Sequence, residues 1–239
     1  MKKIVLLFLA ALMALVACGP RPTPTAAPIE EPLVEQPTDT PPPSPTSAEA
    51  PTPAEAPAPT ETPAPVPTMQ VLLIIAPENF RDEEYAEPRA AFEAAGYAVV
   101  VASSSLEVAT GMLGMEVQPD LLLADVQVED YDAVVFVGGV GAAGYWDDPQ
   151  AHRIAQEAVA AEKVVGAICI APVILARAGV LEGKQATVFQ GNCGELEVGG
   201  AICDSGVPVQ RDGLIITANG PPVATAFGEA ILDALTEQS

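Results

Sequence analysis

The fold class is decided by one stretch of the sequence, Val164-Val165-Gly166-Ala167-Ile168-Cys169-Ile170-Ala171-Pro172. Its first five residues form a continuous apolar run of strand length, which is typical of a buried parallel strand. Pro172 suits the first turn of a helix, and Gly179 is a typical residue just after a helix end. The stretch therefore predicts a strand, a sharp turn at Cys169 and a helix over 172–178, with the cysteine side chain exposed at the turn.

The same alternation of strand and helix patterns continues on both sides of this stretch. Apolar runs predict strands at 71–75, 97–101 and 133–137, and shorter ones at 186–189, 207–210 and 214–217. Helical patterns predict helices at 82–95, 149–161 and 222–235, whereas 103–131 is compatible with either a hairpin or an arm. Strands that alternate with helices imply right-handed crossovers and a mainly parallel sheet with helices on both faces. Sites in such α/β folds form beyond the carboxyl ends of the strands.

Cys169 is the first candidate for chemistry because of its place before a helix. The N-terminal N–H groups and the positive dipole end of that helix favour a thiolate. Such surroundings can lower the pKa of a cysteine from about 8.5 into the range of about 3.5–7.5. The alternative is an inert cysteine that packs in the core.

The N-terminal 68 residues differ in composition from the rest. Lys2 and Lys3 precede an apolar segment at 4–16, the arrangement of a signal peptide whose apolar run is too short for a comfortable membrane span. The end of residues 1–18, Leu-Val-Ala-Cys, resembles the lipobox of bacterial lipoproteins, in which the cysteine, here Cys18, is lipidated. Residues 19–68 hold 17 of the 25 prolines and few large apolar residues, so we expect a disordered tether. These features predict an extracytoplasmic protein of the cell envelope, anchored to a membrane by lipid, with one domain at 69–239.

Charge and cysteine usage narrow the function further. The formal net charge is −22, and residues 69–239 carry 25 acidic against 7 basic side chains, which makes nucleic acid an unsuitable partner. Export permits disulfides, so Cys193 and Cys203, ten residues apart, could pair and leave Cys169 free; three inert thiols are the alternative. A single histidine, His152, and unpaired cysteine spacing predict no metal site, and no phosphate-binding loop or other cofactor motif is present.

Four motifs in order give the domain a resemblance to a known family. They are Glu84 four residues before Pro88, Tyr131-Asp132-Ala133 leading into Gly138-Gly139, the AICIAP turn at 167–172, and the run from Asp212 to Pro221. Together they resemble the DJ-1/PfpI family, a flavodoxin-like branch of the class I glutamine amidotransferase-like fold. The resemblance covers essentially all of 69–239 and implies a three-layer α/β sandwich.

The resemblance also implies roles for individual residues. Glu84 is similar to the buried, protonated glutamate that donates a hydrogen bond to the nucleophilic thiolate, which requires burial to raise the carboxyl pKa. Gly139 and Ile170 are similar to the backbone donors of an oxyanion hole. Members of the family are often dimers, so a homodimer is implied as well.

One departure from the family pattern bears on the reaction. Many peptidase-like members carry a histidine directly after the nucleophile, whereas this chain has Ile170 there, and Gln190 or a neighbour occupies the place of another pocket histidine. We therefore favour a cysteine-dependent enzyme that acts on small carbonyl or acyl compounds, as glyoxalase-, deglycase- and amidase-like members do. The alternatives are a redox-sensing or stress-response protein that uses Cys169 without turnover, a peptidase, and a solute-binding lipoprotein.

Overall fold

The computed structural model describes residues 69–238. The predicted signal segment 1–18 with Cys18, the predicted tether 19–68 and Ser239 lie outside the described residues. Among the described residues, no helix combines the length and the apolar character that crossing a membrane would need.

The described residues alternate between strands and helices along the whole chain. The helices are α1 (Asp82–Ala94), α2 (Pro149–Ala160), α3 (Pro172–Arg177), α4 (Cys193–Val198) and α5 (Ala224–Gln238). The strands are β1 (Gln70–Ile74), β2 (Glu78–Phe80), β3 (Ala98–Ser103), β4 (Ala109–Gly111), β5 (Glu116–Val117), β6 (Leu121–Leu122), β7 (Ala133–Phe136), β8 (Val164–Ile168), β9 (Gln185–Ala186), β10 (Ile202–Cys203), β11 (Val209–Asp212) and β12 (Ile215–Ala218).

Seven of these strands form the central sheet, in the order β11-β12-β8-β7-β1-β3-β6. All neighbouring pairs are parallel except β11 and β12, which pair antiparallel at one edge. The central strands β1, β7 and β8 are apolar on both faces and almost fully buried, as expected for parallel strands covered on two sides. The predicted fold class, a mainly parallel α/β sheet of the flavodoxin-like type, is confirmed.

Alternate residues of the central strands point into two separate cores. Leu72, Val134 and Val165 belong to the core under α2 and α3. Their sequence neighbours on the same strands belong to the core under α1 and α5, where Phe92 and Phe227 are fully buried. Because successive side chains of a strand point to opposite faces of the sheet, each apolar strand contributes residues to both cores.

The structure differs from the predicted elements at several places. The ambiguous segment 103–131 contributes the antiparallel pair β4–β5, which joins β2 in a small second sheet, and the short edge strand β6. Helix α4 was not predicted, because its six residues are too few to show a helical period. The last helix begins two residues later than predicted, at Ala224, after a turn of 3₁₀-helix at Pro221–Val223.

Candidate functional site

The turn after β8 places Cys169 at the carboxyl edge of the sheet, between strand β8 and helix α3. Its φ angle is +63°, a left-handed conformation that costs a residue with a side chain about 1–3 kcal/mol and so needs support from its surroundings. Two backbone hydrogen bonds supply that support. The N–H of Cys169 donates to the Ala218 carbonyl at 2.9 Å, and its own carbonyl accepts from the N–H of Phe189 at 2.8 Å.

Helix α1 brings a carboxyl group to the same place. The helix begins at Asp82, whose side chain accepts hydrogen bonds from the N–H groups of Leu113 and Met115, both at 2.8 Å. One half-turn later, Glu84 is fully buried. A side chain added at Gly138 would overlap the Glu84 carboxyl and would lie 2.5 Å from Cys169 Cβ, so the two side chains meet over this glycine. The structure therefore brings together Glu84 and Cys169, which lie 85 positions apart in the sequence.

Burial dominates the electrostatics of this pair. Burial raises the pKa of Glu84 to about 8, although interactions with Cys169, with Arg81 and with the Gly138 backbone lower it. Burial, together with the nearby Glu84 carboxyl, raises the pKa of the Cys169 thiol to about 12. The raised pKa favours the protonated form of Glu84 at neutral pH, the form that the family resemblance predicts for this residue.

The thiol differs from the sequence-based prediction in two respects. Cys169 is only 8% exposed, so the prediction of an exposed side chain is wrong. The pKa of its thiol is raised rather than lowered, because burial outweighs the backbone N–H groups that favour a thiolate. The position of the residue in the fold was predictable, whereas the desolvation that governs its titration was not.

Two backbone N–H groups nevertheless act on the sulfur. Those of Gly139 and Ile170 form hydrogen bonds that lower the Cys169 pKa, and they are the two donors that the resemblance assigned to an oxyanion hole. Gly139 has a φ of +95° and packs directly on the backbone of 79–81, where a side chain would overlap it. Arg81 N–H fixes this approach by donating to the Gly138 carbonyl at 3.0 Å.

Other residues that the sequence singled out lie around the turn rather than in it. The Trp146 indole N–H donates to the Ile170 carbonyl at 3.2 Å, and a His152 ring nitrogen lies 2.7 Å from the Trp146 carbonyl. His152 thus lies on α2 with its ring bonded away from the thiol. Gln190 is exposed and directly follows Phe189. Within residues 69–238 no cluster of three or more His, Cys, Asp or Glu side chains is arranged to hold a metal ion.

The remaining cysteines lie in the segment from β9 to β10, the segment that also contains Phe189. A disulfide joins Cys193, at the start of α4, to Cys203 in β10, so that Cys169 is the free cysteine of the described residues. Sequence reasoning missed the contact between Phe189 and the Cys169 backbone. Phe189 is 45% exposed and carries no polar side-chain group, so no pattern in the sequence pointed to it.

A cysteine on a strand-to-helix turn, two backbone donors at its sulfur and a buried carboxyl beside it define a nucleophile-elbow protein of the α/β class. The sequence matches the DJ-1/PfpI family over residues 69–234, and the chain belongs to that family.

Known proteins resemble the chain over most of the described residues. An uncharacterised protein of Methanocaldococcus jannaschii is 43% identical over 174 residues, which cover 71% of this chain and 84% of that protein. A deglycase of Pyrococcus abyssi is 34% identical over 120 residues, which cover 50% of this chain and 72% of that protein. The crystal structure of a ThiJ/PfpI domain protein from Brachyspira murdochii matches with a TM-score of 0.70 and 36% identity, over 72% of this chain and 99% of that chain.

Proposed function

We propose that the protein is a cysteine-dependent enzyme acting on small carbonyl compounds, with Cys169 as nucleophile and Glu84 as its proton partner. The observation that carries the proposal is the fully buried Glu84 carboxyl, with a pKa of about 8, lying against the thiol. A carboxyl held neutral near pH 7 can donate a proton where an ordinary surface glutamate cannot. The deglycase name of the Pyrococcus abyssi relative is consistent with this class of substrate.

The location of the negative charge within the pair is central to the proposal. Because the Glu84 carboxyl and the Cys169 thiol interact, their two protons leave in two steps that belong to the pair. The first proton leaves near pH 8, and the remaining proton is shared between the carboxyl and the sulfur. Apart from the thiol, one backbone group, that of Gly138, acts on the Glu84 carboxyl, whereas the sulfur receives two backbone N–H groups, those of Gly139 and Ile170. Because unsolvated charge needs donors, we place the charge on the sulfur and the proton on the carboxyl.

The chemical step follows from this arrangement. The Cys169 thiolate adds to the electrophilic carbon of an aldehyde, a C–S bond forms, and the carbonyl π-bond electrons move to oxygen. The N–H groups of Gly139 and Ile170 then turn from sulfur to the new oxyanion. Glu84 delivers its proton to that oxygen and leaves a hemithioacetal and a carboxylate. The Glu84 carboxylate takes this proton back when the hemithioacetal breaks down, so the addition step itself uses no histidine.

The decisive experiment measures the rate of Cys169 alkylation by iodoacetamide against pH, in the wild type and in Glu84→Gln. With the charge on sulfur, the wild-type rate should rise through a midpoint near the pair's first pKa, about 8. The amide N–H of glutamine is a weaker hydrogen-bond donor to a thiolate than the O–H of a carboxylic acid, so in the variant the midpoint should move up by more than about one pH unit and the rate at pH 7 should fall at least about tenfold. Faster alkylation of Glu84→Gln would mean that Glu84 had held the charge, and would overturn the proposal.

Two further variants make the readout specific. Cys169→Ala reports labelling of any other thiol, including Cys18, and its rate is subtracted. Glu93→Gln removes a half-exposed glutamate of the same helix, one that pairs with Arg89 on the surface, and should leave the profile unchanged. A profile altered equally by both glutamate variants would point to a general charge effect rather than to the Glu84–Cys169 contact.

Turnover separates the enzyme from its alternatives. Consumption of methylglyoxal that disappears in Cys169→Ala supports the enzyme. Oxidation of Cys169 to sulfenic acid by peroxide, with no turnover of any small aldehyde, would support a redox-sensing or stress-response protein instead. Cleavage of a casein substrate that depends on Cys169 would support a peptidase. The homodimer that the family resemblance implied stays a prediction, which sedimentation velocity would check.

We also propose that the protein works in the cell envelope on a lipid anchor. The lipobox-like end of residues 1–18 and the Pro-rich composition of 19–68 support this location, and the Cys193–Cys203 disulfide is compatible with an oxidising compartment. Metabolic labelling with an alkyne fatty acid should label the wild type and fail in Cys18→Ser. Recovery of unlabelled wild type in the soluble fraction would contradict the anchor.

A further inference from the structure

A disulfide ties together the loop that contacts the backbone of the nucleophile. The segment from β9 to β10 leaves the sheet edge, passes Phe189, forms α4 and returns to pair in parallel with β9. The Cys193–Cys203 disulfide closes this segment across a sequence separation of ten. We call residues 187–203 the clamp loop.

The clamp loop contacts the backbone of Cys169, the residue in the left-handed conformation at the turn between β8 and α3. We call this turn, residues 168–171, the elbow and α3 the elbow helix. The N–H of Phe189 donates to the Cys169 carbonyl at 2.8 Å, one of the two backbone hydrogen bonds that hold Cys169 at a φ of +63°. Phe189 is in turn held by Asn192, whose backbone and side-chain N–H groups donate to the Phe189 carbonyl at 3.1 and 3.2 Å. Asn192 immediately precedes Cys193, so the disulfide lies four residues from the hydrogen bond to the nucleophile.

The clamp loop also contacts the far end of the elbow helix. Gly199 packs so closely on the Ala176 backbone that a side chain there would lie 2.6 Å from the Ala176 carbonyl oxygen. The Arg177 guanidinium donates to Glu195 in α4 at 2.7 Å and to Asp147 at 2.6 Å. Both ends of α3 are thereby held, one at Cys169 and the other at Ala176 and Arg177.

We propose that the Cys193–Cys203 disulfide positions the Cys169 thiol, and that its reduction by a dithiol lowers the reactivity of Cys169. With the disulfide closed, the Phe189 N–H keeps the elbow in its left-handed conformation, in which the sulfur receives the N–H groups of Gly139 and Ile170. With the disulfide open, residues 189–195, the exposed or half-buried part of the clamp loop between the buried Val188 and Leu196, gain freedom to move. The hydrogen bond from the Phe189 N–H to the Cys169 carbonyl then weakens. The sulfur then leaves its donors, and the thiolate is populated less at a given pH.

The opening step is a two-electron reduction. A dithiol reductant attacks one sulfur of the disulfide, forms a mixed disulfide and then closes to its own cyclic disulfide. Two electrons and two protons pass to Cys193 and Cys203, which become thiols. Cys169 takes no part in the exchange. The protein would therefore couple the redox state of the Cys193–Cys203 pair to the reactivity of Cys169.

The test compares the pH profile of Cys169 alkylation in the wild type and in Cys193→Ser/Cys203→Ser, using the full chain. We expect the midpoint to shift to higher pH and the rate constant at pH 7 to fall about fivefold, the factor that one hydrogen bond of ordinary strength supplies. A packing role alone would leave the midpoint in place. An unchanged midpoint in a folded double variant, as judged by circular dichroism, would overturn the proposal.

A second pair of variants tests the hydrogen bond with the disulfide intact. Phe189→Pro removes the N–H donor and should reproduce the shift, whereas Phe189→Ala keeps the donor and should not. Equal profiles for these two variants would refute the role of the Phe189 N–H even if the double serine variant failed to fold.

The inference rests on the proposed reactivity of Cys169, which is its readout, but different results would contradict the inference and the proposed function. An unreactive Cys169 in the wild type would contradict the proposed function. A reactive Cys169 whose pH profile does not depend on the disulfide would contradict only the role proposed here for the Cys193–Cys203 disulfide.

Discussion

The protein holds its described cysteines in two environments that differ in almost every physical respect. Cys169 lies at the centre of the sheet, 8% exposed, in a left-handed conformation, beside a fully buried acid. Cys193 and Cys203 lie at the edge, in elements of six and two residues, and are joined to each other. The centre is built by buried apolar strands, whereas the edge segment joins the core through a few residues, Val188, Leu196 and Ala201 among them, and is also held by a covalent bond.

This difference shows where the fold can keep a reactive group. A large buried core tolerates one strained residue and one buried carboxyl, because many other contacts offset their cost. The edge segment makes fewer such contacts, and a cross-link that restricts its unfolded state adds to its stability. If this account is right, changes at the centre should act through desolvation and packing, and changes at the edge through chain entropy.

The largest expected effect is the pH dependence of stability that Glu84 confers. Its pKa is about 8 in the folded protein, against an ordinary value of 4.5. A raised folded-state pKa stabilises the protein fully below the unfolded value, and this contribution is lost as pH rises through the folded value. The free energy of unfolding should therefore decline by about 1.4 kcal/mol per pH unit between about 4.5 and 8, for up to about 5 kcal/mol in total.

Glu84→Gln should remove most of that slope, since glutamine does not titrate. Urea denaturation at pH 5, 6, 7 and 8 measures it, with Glu93→Gln as the matched control because that side chain is half-exposed and ion-paired. The glutamine variant should match the wild type most closely at pH 5 and gain most over it at pH 8. A wild-type free energy of unfolding that does not change between pH 5 and 8 would mean that Glu84 is already ionised in the folded protein.

The next effect tests the close approach of the oxyanion-hole backbone. Gly139→Ala places a methyl group against the backbone of 79–81 and requires a left-handed φ, so we expect a loss of about 3–4 kcal/mol in the free energy of unfolding. Gly96 is the matched control, because it has nearly the same φ, +91°, but no atom within 4 Å of an added Cβ. Gly96→Ala should cost about 1–2 kcal/mol. Equal losses at the two positions would show that conformation alone, and not the approach to 79–81, restricts Gly139.

The sequence predicted the buried strands and the turn at Cys169 better than it predicted the segment that holds Cys193 and Cys203. The runs that became β1, β7 and β8 are continuous and apolar, and Pro172 and Gly179 mark the following helix. Position in a motif sufficed to pair Glu84 with Cys169. The burial of the thiol and the direction of its pKa depend on neighbours from distant segments of the chain, and short elements such as α4 leave no period to read.

A smaller effect is expected from opening the edge disulfide. In the chain-entropy description, a cross-link across ten residues restricts the unfolded chain by roughly 3 kcal/mol. Cys193→Ser/Cys203→Ser should therefore lower the free energy of unfolding by about 3 kcal/mol, measured in urea at pH 6. The wild type in excess dithiothreitol should match the variant. A loss in the variant without a loss on reduction would assign the effect to the serines rather than to the bond.

The smallest effect concerns Arg177, which connects the two regions. Its ion pairs with Asp147 and Glu195 are largely exposed and its guanidinium lies 5.1 Å from the Trp146 ring, so Arg177→Gln should cost only about 1 kcal/mol. Its cost should shrink when the disulfide is already open, because Glu195 is then no longer held in place. A double-mutant cycle with Cys193→Ser/Cys203→Ser should give a coupling of about 0.5 kcal/mol or more.

The control is Arg153→Gln, which removes the Arg153–Glu157 ion pair on α2. Its effect on the free energy of unfolding should be additive with that of Cys193→Ser/Cys203→Ser. Additivity at Arg177 would mean that the edge loop and the elbow helix are energetically independent, and that the disulfide stabilises the edge without acting on the centre.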